Sequence, residues 1–299
     1  MFRGSIVALV TPFKSNSDVD FDAYGRLIDW QIEQGIDGIV PCGCTGEAAT
    51  LSHDEQEQVI RFATERIAGR VKVIAGTGSN STREALRLTQ YAKEVGADGA
   101  LLITPYYNKP TPAGQIAHYK TIAEAVDIPI VLYNVPSRTG TNVLPETVAE
   151  LNKVPNIVAV KEAAGSVDQV SQIRGCCDIT VLSGDDSLTL PMMSVGATGV
   201  ISVAANVVPA QSAQLCREFD NGNLAAAQKL HFELLPLFKA LFIETNPMPV
   251  KAALAYMGLI ENNLRLPLTP MQEAKFPPLE KALKDLGIAK GALSAALSK

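Results

Sequence analysis

The chain has 299 residues, 47% of them hydrophobic and 19% charged, and 26 Lys and Arg against 31 Asp and Glu leave a net charge of −5. That length suits two domains of about 150 residues or one α/β barrel of about 250, and ordinary glycine and proline usage excludes collagen-like or disordered chains. The mild acidity argues against a nucleic-acid or anionic-membrane binder, which would carry a basic patch.

From the N-terminus, Met1–Ser5 leads directly into the apolar run Ile6–Val10, too short for a secretory h-region, and no apolar stretch approaches the roughly 20 residues of a membrane span. Cys42, Cys44, Cys176, Cys177 and Cys216 are odd in number and scattered. They make a poor disulfide framework and point to a reducing, cytoplasmic setting. Cys42-Gly43-Cys44 has no second Cys pair or His at ligand spacing, and His53, His118 and His231 are unpaired, so no metal site is expected.

Short, continuously apolar runs then alternate with amphipathic stretches: Ser5–Pro12, Ile36–Gly43, Lys72–Gly78, Gly99–Pro105, Pro129–Pro136, Ile157–Glu162, Ile179–Asp185 and Gly199–Asn206. Such runs suit strands buried on both faces of a parallel sheet. Ser52 with Glu55, and Ser81 with Glu84, read as capping boxes, while Gly35, Gly69 and Gly96 read as helix stops. Eight β–α units predict a closed (β/α)₈ barrel over 1–206. Residues 207–299 read as a helical C-terminal region, with helices near Pro209–Asn221, Leu224–Phe242, Pro249–Gly258 and Thr269–Leu286. Ile288–Lys299 reads either as a frayed helix or as an ordered packing segment.

In such a barrel, chemistry sits at the C-terminal strand ends. Lys161 closes the sixth run, where burial would disfavour the ammonium and create a nucleophilic amine. The bland alternative pairs Lys161 with a strand-end carboxylate such as Glu162. Tyr133, on the opposite side of its strand from Leu132 and Asn134, could pass protons at an imine-forming lysine, or simply be core. Arg138 offers a fork for a carboxylate, or a plain surface charge. Gly43-Cys44-Thr45-Gly46-Glu47 could cradle a small carboxylate with its N–H groups and the Thr45 hydroxyl, or be only a tight turn. Gly76–Ser81 lacks the features of a nucleotide loop and reads as turn plus cap, and no Gly-x-Ser-x-Gly elbow is present.

Together, Gly43–Glu47, Tyr133-Asn134-Val135-Pro136 with Arg138, and Lys161 resemble the pyruvate-dependent class I aldolases, over about Met1–Leu286. Within that family they resemble the branch that condenses pyruvate with L-aspartate 4-semialdehyde, a lyase-type step towards lysine and diaminopimelate. The resemblance implies that Lys161 forms the imine with no metal or organic cofactor, that Tyr133 moves protons, and that Thr45 holds the pyruvate carboxylate. It assigns Arg138 to the semialdehyde carboxylate and main-chain groups around Lys161 to Gly184 and Ile201. Tyr107 would reach the relay of a neighbouring subunit, making a homo-oligomer, usually a tetramer built as a dimer of dimers.

One departure stands out: Cys44 occupies the relay position where the family usually has Thr, and a thiol is a weak donor and acceptor. The resemblance also implies an inhibitory L-lysine cleft on the dimer interface at Ala49, His53, Asn80, Glu84 and Tyr106, with Asn80 and Tyr106 on the carboxylate and Glu84 on an amino group. Ala48 and Gln56 replace a Ser and a His common there, which predicts weaker lysine binding. A sister aldolase such as N-acetylneuraminate lyase or a 2-keto-3-deoxy sugar acid aldolase would share Lys161, Tyr133 and the glycine turn, but Arg138 and Tyr106-Tyr107 favour the semialdehyde. A catalytically silent barrel that binds pyruvate or an amino acid as a regulator is the rival from another class.

Overall fold

The structure is a computed structural model that describes residues 2–292. Its strands are β1 (Gly4–Ala8), β2 (Gly38–Val40), β3 (Lys72–Gly76), β4 (Gly99–Ile103), β5 (Ile130–Asn134), β6 (Ile157–Glu162), β7 (Thr180–Ser183) and β8 (Gly199–Ser202). All pair in parallel in chain order, and β8 closes on β1 with Gly4 opposite Gly199 and Ile6 opposite Ile201. The predicted (β/α)₈ barrel is therefore the fold. Several strands stop before their apolar runs do: β1 at Ala8, not Pro12, β2 at Val40, not Gly43, and β8 at Ser202, not Asn206. Leu9, Val10, Cys42 and Val203 remain buried beyond those ends. Hydrophobicity marks burial under the rim loops as readily as it marks ladder pairing.

The crossovers hold α1 (Phe21–Glu33), α2 (His53–Ile67), α3 (Thr82–Glu94), α4 (Pro112–Ala125), α5 (Pro136–Thr139), α6 (Pro145–Leu151), α7 (Val167–Cys176) and α8 (Thr189–Ser194). The capping box at Ser52 forms in both directions: its hydroxyl accepts from the Glu55 N–H, and the Glu55 carboxylate accepts from the Ser52 N–H at 2.8 Å. The one expected at Ser81 does not form. Glu84 instead accepts from the Ser79 hydroxyl at 2.8 Å, and that same oxygen takes the Ser81 N–H at 3.1 Å. Gly35, Gly69 and Gly96 lie just past α1, α2 and α3 with φ of 81°, 75° and 86°, the left-handed geometry that ends a helix.

Beyond β8, α9 (Pro209–Asp220) packs on β1, and α10 (Leu224–Ala240) lies against α9 and α12 (Phe276–Asp285), which also meets α11 (Met248–Met257). The expected helix over Thr269–Leu286 is shorter. A 3-10 turn at Glu273–Lys275 leads into α12, whose first turn holds Pro277 and Pro278, where no intrahelical N–H is required. From 293 onwards, the alternatives for Ile288–Lys299 lie outside the described residues. Among the described residues, no helix is long and apolar enough to cross a membrane.

Two apolar layers result. Ile6, Val40, Ile74, Leu101, Val131, Ala159, Leu182 and Ile201 fill the barrel, whereas Ile130, Leu132, Val160, Val181 and Val200 face the helices. This alternation, dictated by the two-residue period of a strand, decides which side chains reach the barrel mouth.

Candidate active site

Tyr133 belongs to the interior set with Val131 and Ala159, and it stands opposite Lys161 in the β5–β6 ladder. Lys161 follows Ala159 by two, so it opens into the barrel, and its neighbour Glu162 must face out. Pairing of Lys161 with Glu162 is thereby excluded. Both Glu162 oxygens are 3.1 Å from the donating Asn134 amide, and they also accept from Gln169 Nε2 at 3.0 Å and the Ala164 N–H at 2.8 Å.

Lys161 is 5% exposed, and its Nζ lies 4.1 Å from the centre of the Tyr133 ring. Burial lowers its pKa to about 8, against the opposing pull of Cys44, Asp185 and Asp186. Burial also raises the Tyr133 pKa well above its ordinary value, with the Cys44 thiol hydrogen-bonded to it adding to the rise. The pair at neutral pH is thus a phenol that keeps its proton and an amine that can lose one. Gly184 makes the room: a Cβ there would lie 3.1 Å from Lys161 Cε and 2.5 Å from the Ala163 Cβ. Asp186, buried behind the lysine, is fixed by the Ser202 hydroxyl at 2.5 Å and by the Val203 and Ala204 N–H groups at 3.1 and 2.9 Å.

The turn after β2 is strained and tightly packed. Cys42 and Glu47 take φ of 55° and 54°, and a Cβ on Gly76 would lie 2.1 Å from the Cys42 carbonyl oxygen. The Gly46 and Glu47 N–H groups bond the Gly43 and Cys44 carbonyls at 3.0 and 3.1 Å, and Thr11 donates to the Gly46 carbonyl at 2.7 Å. Thr45 is buried by this turn and shares a cavity of about 690 Å³ with Lys161, Tyr133, Arg138, Gly184 and Asp185. Residues 242–246, between α10 and α11, complete its wall.

Other expected residues fall elsewhere. Ile201 lies in the barrel interior and outside the cavity wall. Tyr107 has a φ of 70°, is 89% exposed and lines neither cavity. A second cavity of about 420 Å³ is lined by Cys44, Ala49, His53, Glu84 and Tyr106 among others, and shares Tyr133, Arg138 and Asn246 with the first. His53 Nε2 lies 3.8 Å from the Glu84 carboxylate there. Asn80 is outside that wall, its carbonyl accepting from Asn108 at 2.9 Å. Gln56 lines it but turns its amide onto the Ala48 carbonyl at 2.9 Å.

Sequence reasoning missed the supports of this site. Asn246 donates to Thr45 Oγ1 at 3.0 Å, and its carbonyl accepts from Arg138 at 2.9 Å. Lys251 of α11 is fully buried against the Glu47 carboxylate, and donates to the Asn263 carbonyl at 2.8 Å. Asp185, the last residue of the seventh apolar run, also lines the cavity with Lys161, and no sequence signal marks it. A charged residue inside the apolar run Pro249–Leu254 is the signal that could have found Lys251, since a lysine is almost never fully buried unless paired.

A profile of the Dihydrodipicolinate synthetase family matches residues 1–286. A 4-hydroxy-tetrahydrodipicolinate synthase of Nitratidesulfovibrio vulgaris strain DP4 is 57% identical over 290 residues, 96% of this chain and 99% of that one. The chloride-inhibited dihydrodipicolinate synthase of Acinetobacter baumannii, solved in complex with pyruvate, is 47% identical with a TM-score of 0.93, covering 96% of this chain and 100% of that one. The enzyme of Cyanidioschyzon merolae, solved with lysine bound, is 41% identical with a TM-score of 0.93, covering 96% and 99%.

Proposed function

The chain belongs to the dihydrodipicolinate synthetase family, and from that premise we propose how its residues carry out the family's reaction. It is a class I aldolase-type lyase that condenses pyruvate with L-aspartate 4-semialdehyde through a Schiff base, in lysine and diaminopimelate biosynthesis. The observation that carries the assignment of roles is the buried amine of Lys161, set over the Tyr133 ring in an open cavity with its neighbouring glutamate turned away.

Neutral Lys161 attacks the pyruvate ketone, and the carbinolamine loses water to give a protonated imine. That imine is the electron sink, so the chemistry requires no further cofactor. Loss of a methyl proton gives an enamine, whose carbon forms a bond to the aldehyde carbon. The amino group of the bound semialdehyde unit then attacks the imine carbon, closing the ring and releasing the Lys161 amine. Tyr133 delivers and recovers protons in these steps. Thr45 holds the pyruvate carboxylate and Arg138 the semialdehyde carboxylate. Gly184 and Ile201 contribute main-chain groups around Lys161, and Gly184 also leaves room for the lysine stem.

Cys44 stands beside Tyr133 as the next member of the proton relay, and Tyr107 of a neighbouring subunit completes it, in a homotetramer working in the cytoplasm. The exposed, left-handed Tyr107 supports this, because its ring has little contact with its own chain. A thiol is a poorer relay member than a hydroxyl. Cys44→Thr is therefore expected to raise turnover by about threefold to tenfold while leaving the pyruvate adduct unchanged. Steady-state assay coupled to an NADPH-dependent reductase of the product checks this, and unchanged turnover removes Cys44 from the relay.

The direct test of the function is trapping. Pyruvate with borohydride is expected to add one reduced pyruvate unit to Lys161, read by peptide mass spectrometry. Product is expected with the semialdehyde and none with sugar-acid substrates. A silent regulatory barrel would give no adduct. The second cavity is proposed to bind L-lysine through Glu84, His53 and Tyr106, beside Ala49. Asn80, outside the cavity wall, is expected to contribute less. With Gln56 committed to the Ala48 carbonyl, affinity is expected in the millimolar range, and a calorimetric titration without heat there would remove the site.

A further inference from the structure

Asn246 is buried between the two cavities and makes one hydrogen bond to each of the two groups assigned to hold a substrate carboxylate. Its side-chain nitrogen donates to Thr45 Oγ1 at 3.0 Å, and its main-chain carbonyl accepts from Arg138 Nη2 at 2.9 Å. We propose that Asn246 is a positioning residue for both substrates, its amide fixing the Thr45 hydroxyl as a donor and its carbonyl holding one edge of the Arg138 fork. This rests on the carboxylate roles proposed above for Thr45 and Arg138.

The protons available to Thr45 decide its role. A hydroxyl has a single proton and two lone pairs. While one lone pair takes the Asn246 N–H, the proton stays free for an anion. With the amide turned over, Asn246 would accept that proton, and the hydroxyl would present only lone pairs to a carboxylate, which repels it. This orientation leaves Asn246 Oδ1 buried with no hydrogen-bond partner among the described residues. A buried acceptor left unsatisfied at the wall of a site is a stability cost that makes sense where it secures function. Pro247 and Pro249 follow Asn246 into the start of α11, so its backbone carbonyl leads into a stiff segment.

The two contacts leave the residue by different routes, one through the side chain and one through the main chain, so substitution separates them. Asn246→Ala removes the donor to Thr45. Asn246→Asp replaces it with an acceptor that takes the Thr45 proton and sets a negative charge beside the pyruvate carboxylate. In steady-state assays varying each substrate, pyruvate KM is expected to rise about fivefold in Asn246→Ala and about 30-fold or more in Asn246→Asp, with semialdehyde KM within about twofold in both. Thr45→Val is expected to give the same pyruvate-selective rise, and Asn246→Ala added to it no further rise, as for two residues acting as a unit. This second pair of variants keeps the test available if Asn246→Asp does not fold. Both KM values moving in parallel, an Asp variant no worse than Ala, or additive effects with Thr45→Val would each overturn the proposal. Borohydride trapping separates the two levels. No pyruvate adduct on the wild-type enzyme refutes the Schiff-base reading itself, whereas a wild-type adduct with parallel KM shifts refutes only the role of Asn246.

Discussion

Lys161→Met is expected to abolish the condensation, by roughly 10⁴-fold or more, on the scale seen when a covalent nucleophile is removed. No pyruvate adduct should form with borohydride. Folding should survive, because methionine matches the lysine stem in volume and the substitution removes a buried charge that has no ion pair among the described residues. Indeed Tm is expected to rise by a few degrees at pH 7, the usual exchange of stability for a reactive group. The pH dependence has a definite sign. The folded-state pKa of Lys161 is lowered to about 8 from an ordinary 10.5, so the penalty for burying the ammonium is in full force below pH 8. It fades as pH climbs from 8 to 10.5, and the Tm gap between variant and wild type should close over that range. Activity follows the same titration. At pH 7 about a tenth of such an amine is neutral, against roughly three parts in ten thousand at the unperturbed value. Imine formation should therefore accelerate up to about pH 8 and then level off, seen in single-turnover trapping at several pH values. A Lys161→Met enzyme that retained more than a trace of turnover would remove the Schiff base from the mechanism.

The barrel was legible because its strands are written twice, in apolar runs and in the helix stops that separate them. Gly35, Gly69 and Gly96 sit where the structure needs left-handed backbone, and a period of two is enough to place Tyr133 with Val131 and away from Asn134. The same period, applied one strand further, already separates Lys161 from Glu162. That is why the competing ion pair fails in the structure, where amides close off Glu162 instead. What sequence could not display is contact between distant segments. Asn246 meets Thr45 and Arg138 across separations of 201 and 108 residues, and no local propensity encodes such a meeting. The capping box expected at Ser81 failed for a local reason: the Ser79 hydroxyl donates to the Glu84 carboxylate and accepts from the Ser81 N–H, taking both partners. Tyr107 carries the third kind of limit, since a residue used by another subunit looks idle in its own chain.

The support beneath the carboxylate turn gives the second large effect. Glu47 follows Thr45 by two residues, holds a left-handed φ of 54°, and is buried with its carboxylate on Lys251 and on the Arg265 N–H at 3.1 Å. Lys251 also lies 4.2 Å from the centre of the Phe13 ring, so the ammonium is enclosed by one anion, one carbonyl and one aromatic face. Removing one partner of a buried pair is far more damaging than its net worth suggests, because the other charge is left in a medium that cannot solvate it. Glu47→Gln preserves size and should lower stability by about 3–5 kcal/mol, measured by chemical denaturation at pH 7. Glu47→Gln combined with Lys251→Met should recover much of that loss, since it removes the stranded charge. The pH trend again tests the cause. Burial lowers the Lys251 pKa to about 8 even with Glu47 beside it, and without the carboxylate it must fall further. A lowered lysine pKa destabilises fully below that value and releases the penalty between it and the ordinary 10.5, so the Glu47→Gln protein should regain stability over a window that opens below pH 8 and extends to about 10.5. The chemistry should register the change as well. Loss of the anchor frees the strained turn that buries Thr45, so pyruvate KM should rise while Lys161, on β6, still forms its adduct. A Glu47→Gln protein as stable as wild type would mean that Lys251 is solvated by something other than this carboxylate, and the turn would then owe its shape to Gly43 and Gly46 alone.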